Sequence, residues 1–346
     1  DVNIDLVKDV LTASADYSYN YTNRKRMDAQ TVIEYSKKPG EILYESEAAG
    51  SNLQSVEYQT RYQSANAYLN WSPKLGDDHT FKALAGWNIE KQKYETLTIK
   101  REGFVTASKP SFGLMNGTTT DPTVGGYIWS YVGAFFRLNY GYKGKYLAEV
   151  SGRYDGSSKF PTNSKWGFFP SASAAWVISE EEFMKQLPMV DNLKFRIGYG
   201  LAGNQSGIDS YTTLNLVKPN GVVPVGNSAV VSLGDLRNTN PDLKWEVKHT
   251  FNTGIDVALF GNRLLLSANY YNSRTTDMLY LYNVSVPPFT YNTLLANIGS
   301  MRNWGTEIAI GITPLKTKDM ELNINANITF QKNKLLSLNG MYNGEY

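Results

Sequence analysis

Apolar side chains recur at every second position along most of this chain. In MELNINANITFQ the apolar set is Met320, Leu322, Ile324, Ala326, Ile328 and Phe330, and the residues between are Glu, Asn, Thr and Gln. A helical face recurs every three to four residues, so this striping predicts a β-strand with one apolar and one polar face. NLKFRIGYGL, TFKALAGWNI and NWGTEIAIGI repeat it, with Leu84 and Leu265 falling on the polar side. The pattern predicts about twelve strands, near 2–7, 10–24, 52–72, 79–98, 127–142, 145–156, 166–178, 192–203, 243–259, 262–283, 303–314 and 319–335. Most reach the ~9–11 residues that a tilted strand needs to cross a bilayer.

The connections alternate in length. Short ones fall at Lys8-Asp9, 72–78, Lys143-Gly144, 260–262 and 314–318; long ones at 25–51, 99–126, 204–242 and 283–302. An up-and-down meander then gathers short turns at one end and long loops at the other, as outer-membrane barrels do. Aromatic residues stand near both ends of the stripe: Trp71, Phe81, Tyr142, Tyr146, Trp176 and Phe260 by the short turns, and Tyr131, Tyr280, Tyr282 and Trp304 by the long loops. Two such levels suit two membrane interfaces. A β-sandwich or propeller is the competing architecture, but those folds use shorter strands without length-sorted loops. ISEEEFMKQLP, 178–188, reads as a helical turn that Ser179 caps, with Glu182 at capping-box spacing.

Composition narrows the function. Mean hydropathy is −0.37, which a membrane barrel tolerates because half of each strand faces a wet lumen. No run is long and apolar enough for a membrane helix. The formal net charge of +2 gives no field that argues for nucleic acid. Cysteine is absent, which excludes disulfides and thiolate sites. The two histidines, His79 and His249, lie too far apart in sequence for a zinc motif and offer little for a catalytic triad. YDGSSKFPTNSKWGFFPSAS, 154–173, lacks the spacing of a phosphate loop or an EF-hand. It reads as a hairpin loop in which Asp and Ser bond nearby backbone and Gly156 takes positive φ. Glu180, Glu181 and Glu182 read as a solvated helix start. No enzyme, metal or cofactor is expected.

Several segments resemble one family. FRLNYGYKGKYLAEVSGRYDGSSKF, WGFFPSASAAWVISEEEF, LKFRIGYGLAGNQ, NPDLKWE (240–246) and the N-x-G-x-E of Asn303, Gly305 and Glu307 occur in the order seen in the SusC/RagA class of TonB-dependent outer-membrane transporters of the Bacteroidetes kind. The resemblance spans roughly residues 130–335, with 1–129 fitting as preceding strands. It implies an all-β, antiparallel up-and-down transmembrane barrel of about 22 strands, of which residues 1–346 form one partial barrel domain without a second domain. It also implies an outer-membrane, multi-pass location and contact with outer-membrane lipid. Its other implied partners are a SusD-like surface lipoprotein and TonB with ExbB and ExbD, engaged through a plug and TonB box outside this chain. The implied function is energised import of a large glycan, oligosaccharide or peptide; the alternative is a passive structural or adhesive barrel. A membrane barrel cannot leave an open edge, so the chain is expected to be a fragment of a larger barrel.

Within that frame the polar faces bring Lys82, Arg137, Arg153, Arg196, Asp256 and Glu307 to the lumen. Long-loop aromatics, among them Phe104, Phe112, Tyr127, Trp129, Tyr211, Phe289 and Tyr291, suit stacking on sugars or peptide side chains, or loop packing. The candidate substrate-binding set is Trp129, Tyr127, Tyr211, Tyr291, Arg137, Arg153 and Arg196. Ile324→Arg is expected to cost about 2–4 kcal/mol if that residue lies at the bilayer midplane, whereas Asn325→Arg in the lumen is tolerated.

Overall fold

The computed structural model describes residues 1–31, 34–44, 51–104 and 110–338. Parts of two expected long loops and the tail from 339 lie outside the described residues. Among the described residues sixteen strands follow one another: β1 (Val2–Val7), β2 (Leu11–Gln30), β3 (Glu34–Tyr35), β4 (Leu43–Tyr44), β5 (Asn52–Trp71), β6 (His79–Glu102), β7 (Thr119–Tyr142), β8 (Tyr146–Ser157), β9 (Trp166–Val177), β10 (Val190–Asn204), β11 (Val217–Val225), β12 (Ser228–Asp235), β13 (Glu246–Leu259), β14 (Leu264–Asn283), β15 (Thr293–Lys316) and β16 (Glu321–Leu338).

Twelve of them form one sheet in the order β1-β2-β5-β6-β7-β8-β9-β10-β13-β14-β15-β16. Neighbours such as β1 and β2, β8 and β9, β9 and β10, β13 and β14, and β15 and β16 pair antiparallel, which is the expected meander. These twelve match the strands the striping predicts, and two small hairpins that it does not predict, β3-β4 and β11-β12, lie inside long connections. Strands also run further toward the long loops than the striping indicates. β15 begins at Thr293 and β7 at Thr119. Pairing there persists past a bulge, with Asn283 opposite Thr293. Backbone hydrogen bonds extend a ladder wherever a neighbour is available, whether or not the side chains alternate.

The tight turns follow from backbone chemistry. Lys143 and Gly144 both have positive φ, as do Phe260, Gly261 and Asn262; such conformations match the right-handed twist of the flanking strands. The 178–188 turn differs from expectation. It forms two short 3₁₀ segments, Ile178–Glu180 and Glu182–Met184, and neither has a side-chain cap. The Ser179 hydroxyl lies 3.5 Å from Asn192 instead. Glu181 organises the turn, accepting hydrogen bonds from Tyr146 Oη (2.6 Å), Lys145 Nζ (2.9 Å) and Trp176 Nε1 (3.1 Å). These three donors hold its carboxyl down to about 2.

The chain divides into two compact units. The first comprises 1–16, 65–89 and 130–346. Here register carries each stripe sideways. Phe195 faces Trp176 and Ile255; Ala268 faces Ile255 and Ile308; Ile308 faces Ile328. The apolar face is therefore continuous across strands, and its large side chains are exposed: Phe195, Ile197, Tyr199, Ile312 and Phe330 among them. The opposite face is polar, as in Asp16–Asn66–Asn88, linked at 2.8 and 2.7 Å. Leu84 and Leu265 do stay on it, beside Arg137 and Asp256 respectively. The buried core lies near the long-loop end, where Phe160, Phe169, Ile208, Leu243 and Trp245 pack together. The second unit, 17–64 and 90–129, carries an aromatic ladder described below.

Candidate functional site

The 154–173 stretch and the NPDLKWE segment meet. Phe160 and Phe169 flank Trp245 at ring distances of 4.6 and 5.5 Å. Trp245 Nε1 donates to the Lys165 carbonyl at 3.2 Å, and Ser164 bonds the Leu243 carbonyl. Two motifs about eighty residues apart thus form one buried plug of the outer end. Gly156 has no positive φ, contrary to expectation. It lies in β8, and a Cβ there would meet the Trp166 ring at 2.6 Å, so glycine leaves room for the Tyr154–Trp166 stack (5.1 Å, 7°). Ser157 acts as expected, its Oγ accepting from Lys159 N; Ser158 Oγ instead accepts from the distant Ser130 N, and Asp155 holds the Arg153 side chain and not nearby backbone.

Asn238 fastens the next segment. Its Nδ2 donates to the carbonyls of Tyr291 and Thr293, and its Oδ1 accepts from the amides of Thr290 and Tyr291. Asn297 does the same for Lys244, donating to its carbonyl and accepting from its amide. Side-chain amides replace the missing ladder here, because one Asn matches both a backbone donor and an acceptor.

The polar face holds the three predicted arginines, and they differ. Arg196 grips Asp256 with two nitrogens (2.8 and 3.1 Å) and also bonds Asn269, while Ser267 donates to the same carboxylate. Gly254 lies opposite Arg196, and a Cβ there would crowd Asn269 and the guanidinium. Arg153 is similarly held by both Asp155 oxygens at 3.1 Å and by Tyr131 Oη at 3.0 Å. Arg137 is 57% exposed, 3.7 Å from Glu149, and keeps its reach. A recess of about 500 Å³ beside it is lined by Lys82, Asn139, Glu149, Ser173, Lys194 and Arg196.

Tyr127 and Trp129 lie on β7 and not in a loop, because that strand starts eight residues early. Tyr127 stacks on Tyr94 at 5.0 Å, and Tyr94 on Tyr58 at 6.4 Å. Gln92 donates to the Tyr127 hydroxyl. Trp129 tilts against Tyr62 at 6.5 Å, whose hydroxyl donates to Glu90. All five rings are half-buried and sit among side-chain amides and carboxylates. The sequence signal for this ladder was the spacing Tyr58/Tyr62 and Tyr127/Trp129; only the pairing of β5, β6 and β7 brings in Tyr94. Tyr291 is a loop tie: its hydroxyl donates to the Asp235 carbonyl at 2.5 Å, and Lys218 sits over its ring. Tyr211 occupies a turn at φ 68, with Leu214 N bonding its carbonyl. His79 and His249 each bond a tyrosine, Tyr140 and Tyr199. Among the described residues no three acids or histidines cluster as metal ligands.

A twelve-stranded antiparallel meander with one apolar and one polar face, and loops sorted by length, defines the wall of an outer-membrane β-barrel. The chain belongs to the TonB dependent receptor-like, beta-barrel family, whose model matches residues 3–345. It is 33% identical over 336 residues to a TonB-dependent receptor of Formosa agariphila, covering 94% of this chain and 32% of the relative. It is 29% identical over 339 residues to the TonB-dependent receptor SusC of Bacteroides thetaiotaomicron, covering 96% and 33%. The structure of the RagAB peptide transporter superposes with a TM-score of 0.82 at 24% identity, covering 97% of this chain and 36% of that one. The chain thus spans about a third of the length of these curated relatives. The apolar face is the lipid face, and the polar face lines the lumen.

Proposed function

We propose that this chain is part of the wall of an energised importer that carries a large nutrient, a glycan, oligosaccharide or peptide, through the outer membrane. Residues 1–346 are read as one partial barrel domain. Family membership supports TonB-dependent action, and the lumen wall supports a large polar cargo. The observation that carries the cargo reading is the aromatic ladder of Tyr58, Tyr94 and Tyr127 with Trp129 beside it. Ring faces flanked by amides and carboxylates hold sugar or peptide by stacking plus directed hydrogen bonds. Arg137 is the lumen arginine best placed to meet cargo, since Arg153 and Arg196 are each held by a carboxylate.

A SusD-like surface lipoprotein is the proposed outer partner. Hairpin β11-β12 supports it: Val222 faces Val231 and Val223 faces Val230, all exposed, as is Leu233 at 64%. An exposed two-stranded apolar hairpin is poorly stable alone in water. TonB with ExbB and ExbD is the proposed energy source, acting outside this chain.

A strain lacking the gene, complemented with wild type or with Tyr127→Ala/Trp129→Ala, tests the reading by uptake of labelled glycans and peptides. Import predicts uptake that collapses when the proton-motive force is dissipated and falls at least about tenfold in the double variant. Uptake insensitive to both would favour a passive or adhesive barrel.

A further inference from the structure

The lipid face carries a hollow near its short-turn end, framed by two rows of side chains. In the first row Tyr142 faces Tyr146, Tyr146 faces Trp176, and Trp176 faces Phe195. Two residues further into the membrane, Tyr140 faces Ala148, Ala148 faces Ala174, and Ala174 faces Ile197. Phe195 and Ile197 belong to the lipid face, so both rows do. In the second row two adjacent strands present only methyl groups, between a ring on one side and a branched chain on the other. The result is a groove of about 460 Å³, with Ala148 and Ala174 as its floor and Tyr140, Tyr146, Trp176, Phe195 and Ile197 as its walls. Ala172, between Val150 and Tyr199 in the row beyond, continues the floor deeper into the membrane.

The wall at the short-turn end is held in place. Trp176 stacks beside Tyr146 at 6.5 Å and 14°, and Tyr142 stacks beside Tyr146 at 6.5 Å and 17°. Glu181 accepts from both Tyr146 Oη and Trp176 Nε1, and Lys145 donates to the same carboxylate. The polar tips of these rings thus point to the turn and leave their apolar bodies to the groove. β8, β9 and β10 pair side by side beneath it, so the floor cannot collapse without breaking the ladder.

The position names the occupant. An apolar groove stays dry, and an empty one forfeits contact along its whole lining. Tyr146 opens β8 and Trp176 lies one residue from the end of β9, so the ring row stands at the interface on the short-turn, periplasmic side. The alanines lie two residues deeper, about 5 Å for strands tilted near 45°, where acyl chains begin below their headgroups. The adjoining turn sets Lys145 and Lys185 against Glu180, Glu181 and Glu182, which suits a zwitterionic headgroup better than an anionic one.

We propose that this groove holds one acyl chain of a zwitterionic phospholipid from the periplasmic leaflet. The chain lies along the alanine floor between Tyr140 and Ile197, with its headgroup at the rim formed by Tyr146, Trp176 and Glu181. Lipid tails are as apolar as the wall, so contact and not water exclusion holds the chain. A flat wall touches a tail on one side. The groove touches it on three, and its preset rings reduce the cost of ordering.

The whole protein, purified from the outer membrane in detergent, is diluted stepwise into that detergent, and native mass spectrometry counts retained phospholipid. Wild type is expected to keep a diacyl phosphatidylethanolamine that A148F/A174F, which fills the groove, loses; occupancy of that lipid falls about tenfold or more. A268F adds a ring elsewhere on the lipid face and should retain it. Heat-modifiable gel mobility reports folding; if the double variant fails it, A174L alone is read the same way. Equal retention by wild type and the filled variant, or equal loss from A268F, overturns the proposal. Retention of phosphatidylglycerol as strong as that of phosphatidylethanolamine overturns the headgroup assignment.

Discussion

Ile310→Arg tests the assignment of faces where the structure makes it most costly. On β15 the lipid-face band runs from Trp304 at the outer side to Leu315 near the short turn. At ~3.3 Å per residue this is about 36 Å along the strand, or about 25 Å of height for a tilt near 45°, the height of a barrel's apolar band. Ile310 lies near its middle, facing Leu266 on one side and Ala326 on the other. An arginine at the midplane costs about 2–4 kcal/mol, a roughly 30- to 700-fold loss in the folding equilibrium. Ile324, by contrast, sits three residues into β16, opposite Ile312. It lies near the short-turn interface, where an arginine costs about 0–1 kcal/mol. The control is Ala309→Arg, which lies between Ser267 and Asn327 on the polar face and should be tolerated. The assay is urea-induced unfolding of the whole protein in lipid vesicles, followed by heat-modifiable mobility. Equal losses at 309 and 310, or none at 310, would refute the faces.

The other predictions concern single contacts. Glu181 has its folded-state value lowered from 4.5 to about 2, so its contribution is complete above about pH 4.5 and is lost as pH falls toward 2; Trp176 fluorescence should shift across that window in wild type and not in Glu181→Gln. Gly156→Ala should displace Trp166 and cost about 1–3 kcal/mol by overpacking, seen as loss of the near-ultraviolet dichroism of the Tyr154–Trp166 stack. Trp245→Ala removes the centre of the buried outer cluster, for a loss of about 3–5 kcal/mol. Because that cluster ties loops and not the membrane band, the variant should remain heat-modifiable while 205–245 becomes sensitive to protease on intact cells; an unchanged digestion pattern would contradict its role.

Alternation and punctuation are local, and they were enough to reveal twelve strands, the faces of each and the sorting of loops by length. A strand's two faces are set by every second residue, so Leu322, Ile324 and Ile328 declare the lipid side without reference to a partner. What each side chain meets across the sheet depends on register and strand order. Only the fold shows that Arg196 is held by Asp256, sixty residues away, while Arg137 keeps its reach. Only the fold brings Tyr94 between Tyr58 and Tyr127, or Trp245 against Phe160. The Gly156 expectation failed for the same reason: glycine permits either an unusual φ or a close approach, and the ring it accommodates, Trp166, belongs to another strand. His249, Arg274, Arg302 and Lys334 are scattered over eighty-six positions, and hydrogen-bonded register alone makes them neighbours.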